Sequence, residues 1–205
     1  LVDVTLESNT GSRVTRRRGF QYAAVPAVSA LRPPSGQLGT LVTISGSGLL
    51  AGGASVVNVT LAGVAAEEIV SSNETTIVAA AGSGSPGNGT VTVTVDTGAT
   101  YTSTQEWTYV EASQVDSFAP TTGQEGTYVT VRGQGLFGGG SSIARVTLAG
   151  VAAEVLAGSN STYVVARAGA GAAGAGRVVV ESNTGARAVA GPDFTYTAAG
   201  VVSGL

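Results

Sequence analysis

The side chains able to do chemistry in this sequence are few in kind. Carboxylates number 13, arginines 10 and tyrosines 6, with many Ser and Thr hydroxyls; His, Cys and Met are absent and every basic residue is Arg. Without imidazole or thiolate there is no His base, no Cys nucleophile and no ordinary zinc site. The expectation is a protein with no catalytic residues, no cofactor and no metal centre.

The chemistry that remains is modification. Asn-x-Ser/Thr tripeptides begin at Asn58, Asn73, Asn88 and Asn160, four of the six asparagines. Each is an N-glycosylation acceptor context in a secreted protein of an organism that glycosylates. Asn73 and Asn160 lie in loop-like SSNETT and GSNSTY just before a strand, Asn88 falls at a hairpin signal, and Asn58 lies within a strand. The counterpart of Asn58 in the repeat described below is Arg145, so that position faces water.

Other clusters are weaker. Glu67 with Glu68, and Asp3, Asp96 and Asp116 near turns, are oxygen donors for Ca²⁺, but only Glu67 recurs, as Glu154, and there is no D-x-D-x-D loop. The run Arg16 to Arg18 offers a patch for acidic glycans or lipid headgroups. No later copy keeps it, which favours a solvated strand or hairpin. The Gly-rich stretches 82–89 and 169–176 have no Walker lysine and open no helix, so flexible hairpin loops are expected rather than phosphate cradles. With net charge −3 and pI near 4.9, nucleic-acid binding is disfavoured. No apolar run is long enough to span a membrane, so direct insertion of this segment is not expected.

What must position these residues is a repeat. The stretch GQLGTLVTISGSGLLAGG (Gly36 to Gly53) realigns on GQEGTYVTVRGQGLFGGG (Gly123 to Gly140), and VTLAGVAAE recurs at Val59 and Val146, both 87 residues apart. VTLESNTGSR (Val4 to Arg13) lies 174 residues before VVVESNTGAR (Val178 to Arg187). The expected organisation is therefore residues 1–27 as the closing strands of one repeat, 28–114 and 115–201 as complete repeats, and 202–205 as the start of another. A chain that opens on Leu with no Met anywhere reads as a piece of a longer protein.

Inside each unit the hydrophobic period is two, as in LVTIS (Leu41 to Ser45) and TVTVTV (Thr90 to Val95), with Gly, Ser, Asn and Pro clusters setting turns between short strands. Gly87 to Thr90, GNGT, signals a tight hairpin. Each copy closes on an aromatic pair two residues apart, Phe20 and Tyr22, Trp107 and Tyr109, Phe194 and Tyr196. Constant placement with variable ring type favours core filling over a platform for sugars.

A Pro followed by Gly, then G-x-x-V-T-[IV]-x-G-x-G-L, V-x-L-A-G-V and a closing aromatic-x-Tyr resemble the IPT/TIG family, whose immunoglobulin-like fold is shared by plexins and certain transcription factors. The residues carrying the resemblance are Pro33, Gly36, Gly39, Gly46, Gly48, Leu61, Gly63 and Tyr109, and again Pro120, Gly123, Gly126, Gly133, Gly135, Leu148, Gly150 and Tyr196. It implies an all-β chain of tandem immunoglobulin-like β-sandwiches. The cysteines common in receptor members and the basic loops of transcription-factor members are both missing. The expected function is a structural extracellular or cell-surface glycoprotein forming a stiff rod or filament. It would self-associate or array end to end with neighbouring repeats and carry covalently attached glycans. An adhesin or receptor segment binding a protein or glycan, and an accessory region of a polysaccharide-active enzyme, are the alternatives.

Overall fold

The β-branched residues Val, Ile and Thr recur through the segments that form strands, alternating strictly in Thr90–Val95, and such side chains suit a pleated surface buried on one face. The computed structural model describes residues 1–198 and 200, and every regular element in it is a strand. The expected opening of a further repeat at 202–205 lies outside the described residues.

The first two strands, β1 (Val2–Glu7) and β2 (Arg13–Phe20), form an isolated antiparallel hairpin. The next nine build one sandwich. Strands β3 (Ala27–Arg32), β5 (Leu41–Ser47), β9 (Thr76–Ala80) and β8 (Glu68–Ser72) make a four-stranded sheet in that order. Facing it, β4 (Ser35–Gly36), β11 (Thr100–Tyr109), β10 (Gly87–Val95), β6 (Val56–Leu61) and β7 (Val64–Ala65) make a five-stranded sheet. The core lies between them, with Val42, Ile44, Leu61, Ile77, Val91, Val93 and Trp107 fully shielded from solvent.

The second sandwich repeats this plan with β12 (Gln114–Ala119), β13 (Thr122–Gly123), β14 (Tyr128–Gln134), β15 (Ile143–Leu148), β16 (Val151–Val155), β17 (Tyr163–Arg167), β18 (Gly174–Ser182) and β19 (Arg187–Tyr196). One difference is that β16 is continuous where the first repeat has two pieces, and it pairs with both β15 and β17. The two sheets thereby join into one of eight strands. The second repeat also lacks the far part of β8. Where Ser71 extends that strand, its counterpart is Gly158 at φ +89°, a conformation that ends a strand.

In both repeats a two-residue strand near the start, β4 or β13, pairs in parallel with the closing strand, Ser35 opposite Thr108 and Thr122 opposite Thr195.

Two local expectations are corrected. The Asn88-Gly89 dipeptide is not a turn: Gly87–Thr90 lies inside β10, with Asn88 opposite Thr108, and the hairpin falls at Asp96–Ala99 with Gly98 at φ +84°. Gly89 is needed for close approach, since a Cβ there would sit 2.8 Å from Ala62 Cα. Its counterpart Gly176 meets Ala149 Cα at the same 2.8 Å. Nor do the Gly-rich stretches form hairpin loops. Gly82–Pro86 runs as irregular backbone past the Tyr109 ring, and a Cβ on Gly84 would lie 2.8 Å from it.

Candidate functional site

All four sequon asparagines are exposed. Asn73 and Asn160 sit in equivalent turns of the same construction. Asn73 Oδ1 accepts hydrogen bonds from the Thr75 amide at 2.9 Å and the Thr75 hydroxyl at 3.0 Å. Asn160 Oδ1 accepts the same pair from Thr162, at 2.9 and 3.0 Å. Such Asx turns occupy the amide oxygen locally, and a glycan would modify the nitrogen of these exposed side chains. Asn58 stands on β6 opposite Thr94, and Asn88 on β10, where its amide donates to Glu106 at 2.8 Å.

The acidic candidates are dispersed among other duties. Asp3 accepts the Arg18 amide at 2.7 Å, and Asp96 accepts the Ala54 amide at 3.1 Å, closing the loop before β6. Asp116 is exposed on β12. Among the described residues no group of three His, Cys, Asp or Glu side chains is assembled. Arg16 to Arg18 form the irregular part of β2 opposite Val2 to Val4, all three exposed. No helix is long and apolar enough to cross a membrane among the described residues.

The aromatic pairs stack edge to face, with centroids 5.8 Å apart for Trp107 and Tyr109 and 5.1 Å for Phe194 and Tyr196. Both pairs are buried, as core filling requires, and burial pushes the Tyr109 and Tyr196 phenols above their ordinary pKa. The Phe20–Tyr22 pair keeps the geometry, at 5.1 Å, but is 51% and 74% exposed. Among the described residues this hairpin has no facing sheet. Tyr101 donates to the Leu49 carbonyl at 2.7 Å, and burial, helped by the nearby Glu74 charge, pushes its pKa up to about 12.

The most developed polar constellation is one that sequence reasoning missed, the junction between the sandwiches. Four residues, Val110 to Ser113, connect β11 to β12. Gln37, only 2% exposed, reaches this connection: its Nε2 donates to Ser113 Oγ at 2.6 Å, and its Oε1 accepts the Ser113 amide. Ser113 Oγ in turn donates to the Gly135 carbonyl of the second repeat. Alongside, the hairpin turn of the second repeat, Thr184 to Arg187, lies on the loop Gln37 to Leu41 of the first. The Leu41 amide donates to the Thr184 carbonyl and the Arg187 amide to the Leu38 carbonyl, each at 2.9 Å. Glu67 and Arg187 close the edge as an ion pair. Gly39, at φ +83°, permits this approach, because a Cβ there would lie 2.7 Å from the Gly185 carbonyl. Recurrence of Gln37 as Gln124 and of Glu67 as Glu154 was the available signal.

A tandem array of immunoglobulin-like sandwiches, docked directly on one another, is the class this architecture defines. The family model for the IPT/TIG domain matches residues 26–109 and 113–196, and the chain belongs to that family. No curated protein matches it in sequence. Among solved structures, the plexin A4 extracellular region, domains 1 to 10, is similar over 84% of this chain at 21% identity and TM-score 0.49. SGBP-B of the Bacteroides ovatus mixed-linkage glucan utilization locus, in complex with a mixed-linkage heptasaccharide, is similar over 95% at 18% identity and TM-score 0.37. SGBP-B from a complex xyloglucan utilization locus in Bacteroides uniformis is similar over 83% at 17% identity and TM-score 0.35. The chain spans 16% of the plexin chain and about half of each SGBP-B, 51% and 49%.

Proposed function

We propose that this chain is a segment of a non-catalytic, extracellular or cell-surface structural protein in which IPT/TIG units, residues 28–114 and 115–201, are strung as a stiff rod. Residues 1–27 are the closing strands of a preceding unit. The observation that carries the reading is the inter-repeat docking. Two backbone hydrogen bonds, from Leu41 to Thr184 and from Arg187 to Leu38, act together with a buried Gln37. A junction built this way restricts rotation in a manner that a four-residue tether alone does not. Glycans on the outward-facing Asn73 and Asn160, and on Asn58 and Asn88, would solubilise the surface and shield strand edges from lateral pairing.

Small-angle scattering with segmental NMR relaxation tests this. A rod predicts both sandwiches tumbling with one correlation time and a single inter-repeat distance. Independent tumbling of the two repeats would sink the reading.

A further inference from the structure

Asn73 and Asn160 sit in equivalent turns, but their neighbours on the sheet differ. The Asn160 amide donates to the Tyr163 carbonyl at 2.7 Å, and the Asn73 amide to the Thr76 carbonyl at 2.8 Å. Each asparagine is thereby set across a tight turn from the first residue of the following strand, β17 or β9. Residues opposed in this way carry their side chains on the same face. Val164 and Ile77, the next along each strand, are fully buried, so that shared face is the outer one.

The strand register extends the row by one residue. Tyr163 is opposite Arg132 on β14, and Thr76 is opposite Ser45 on β5. The row in the second repeat is therefore Asn160, Tyr163, Arg132, where the first repeat has Asn73, Thr76, Ser45. A ring and a guanidinium replace two hydroxyls at positions that no core requires. This end of β14 adjoins the first repeat, since Gly135 accepts the Ser113 hydroxyl, so the row lies within the described array.

Arg132 and Tyr163 already engage each other. The guanidinium carbon lies 5.2 Å from the ring centroid, a cation–π distance, and among the described residues Arg132 makes no ion pair. Tyr163 is half-buried and stands in the row between Arg132 on one side and Asn160 on the other. The cation takes one face of the ring and leaves the opposite face for what Asn160 carries. The Asn160 side chain is itself fixed, its Oδ1 held by the Thr162 amide and hydroxyl.

We infer that Tyr163 is a platform for the first sugar of a glycan on Asn160. The C–H face of an N-acetylhexosamine packs on the ring, as an amphipathic aromatic surface allows, and Arg132 is the positioning residue that holds the ring from its far side. The inference rests on the reading of Asn160 as glycosylated and adds that its glycan is ordered. The Asn73 glycan, beside Thr76 and Ser45, has no such support and is tethered only through its asparagine.

The test uses the chain made in a glycosylating host with isotope-labelled N-acetylhexosamine, its site occupancy read by intact mass. Carbon–proton NMR reports ring-current displacement of each sugar, and an amidase acting on the native glycoprotein reports how readily each glycan is released. The Asn160 sugar should resonate upfield of the Asn73 sugar, and its release should be about fivefold slower in the parent than in Tyr163→Thr. Tyr163→Phe should keep both effects and Arg132→Ser should weaken both. Thr76→Tyr with Ser45→Arg should confer the upfield displacement on the Asn73 sugar. Thermal melts verify that each variant is folded.

An occupied Asn160 whose sugar matches that of Asn73 in resonance and release, and is indifferent to Tyr163→Thr, overturns the inference and leaves the glycan reading standing. An Asn160 that is unmodified overturns both. Neither outcome alters the scattering of the two-repeat rod.

Discussion

Gln37 and Ser113 are hydrogen bonded in both directions, the glutamine amide nitrogen to the serine hydroxyl at 2.6 Å and the serine backbone amide to the glutamine oxygen. Both polar ends of a side chain that is 2% exposed are thus satisfied by a residue of the connecting segment. Replacing Gln37 leaves the half-buried Ser113 amide without its acceptor, and each lost bond costs about 0.5–1.5 kcal/mol. Gln37→Ala should therefore loosen the junction, speeding exchange at the Leu41 and Arg187 amides before either core unfolds. Gln124→Ala, at the exposed counterpart, should change thermal stability by less than about 0.5 kcal/mol.

The Arg187–Glu67 pair sits at a half-exposed edge, with side chains 34% and 46% accessible. Solvent and salt screen such pairs, so Glu67→Gln should cost no more than about 1 kcal/mol, and the difference from the parent should shrink in high salt. Thermal melts at low and high ionic strength check both parts. A larger loss would mean that the carboxylate holds the turn itself.

Gly84 and Gly171 carry the closing tyrosines on their faces. A Cβ on Gly84 would come within 2.8 Å of the Tyr109 ring, and one on Gly171 within 3.1 Å of Tyr196 and 3.0 Å of Val151. Gly84→Ala should therefore destabilise its sandwich by about 1–3 kcal/mol, as overpacked interiors do. Gly191→Ala, with open space around it, is the control. Chemical denaturation with separate probes for the two repeats distinguishes them, the Trp107 fluorescence reporting on the first.

Tyr101 links the fold to alkaline pH. Its pKa rises from 10.0 unfolded to about 12 folded, because burial and then the Glu74 charge disfavour the phenolate. Above pH 10 the unfolded chain therefore binds fewer protons than the folded one, and stability falls as pH rises. The contribution is whole below pH 10 and is lost progressively through about pH 12. Melting temperatures between pH 8 and 12 should fall less steeply in Tyr101→Phe, and ultraviolet titration should give a late-ionising phenol that the variant lacks.

Expressed in a glycosylating eukaryotic host, the chain should carry glycans on Asn73 and Asn160. Each single Asn→Gln change should remove one glycan mass and leave the melting temperature within a few degrees. Intact mass spectrometry reads this directly, and an unmodified parent would remove the glycan from the functional reading.

The period of 87 made the sandwich legible, because apolar and β-branched residues at the same spacing set the same strands twice. Local signals taken alone did worse. Asn88-Gly89 has the composition of a turn, yet only the glycine recurs, as Gly176, and what it serves is contact with Ala62 across the sheet. The exposed Asx turns at Asn73 and Asn160 were legible because they are local. The junction was not, since Gln37 meets Ser113 across 76 residues and Leu41 meets Thr184 across two repeats.

The short parallel pairings near the start of each sandwich bear on how such a chain carries tension. Pulled lengthwise, a repeat takes load through its opening segment and passes it on through its closing strand. In the first repeat those segments are tied by Thr108 to Pro34 and Val110 to Gly36, at 3.1 and 2.9 Å, and in the second by Thr195 to Thr121 and Thr197 to Gly123, at 2.9 and 2.7 Å. Because the paired segments run in the same direction, the bonds are strained together in shear rather than peeled one after another. Each repeat is thus latched in shear between its closing strand and the short segment that follows its first strand.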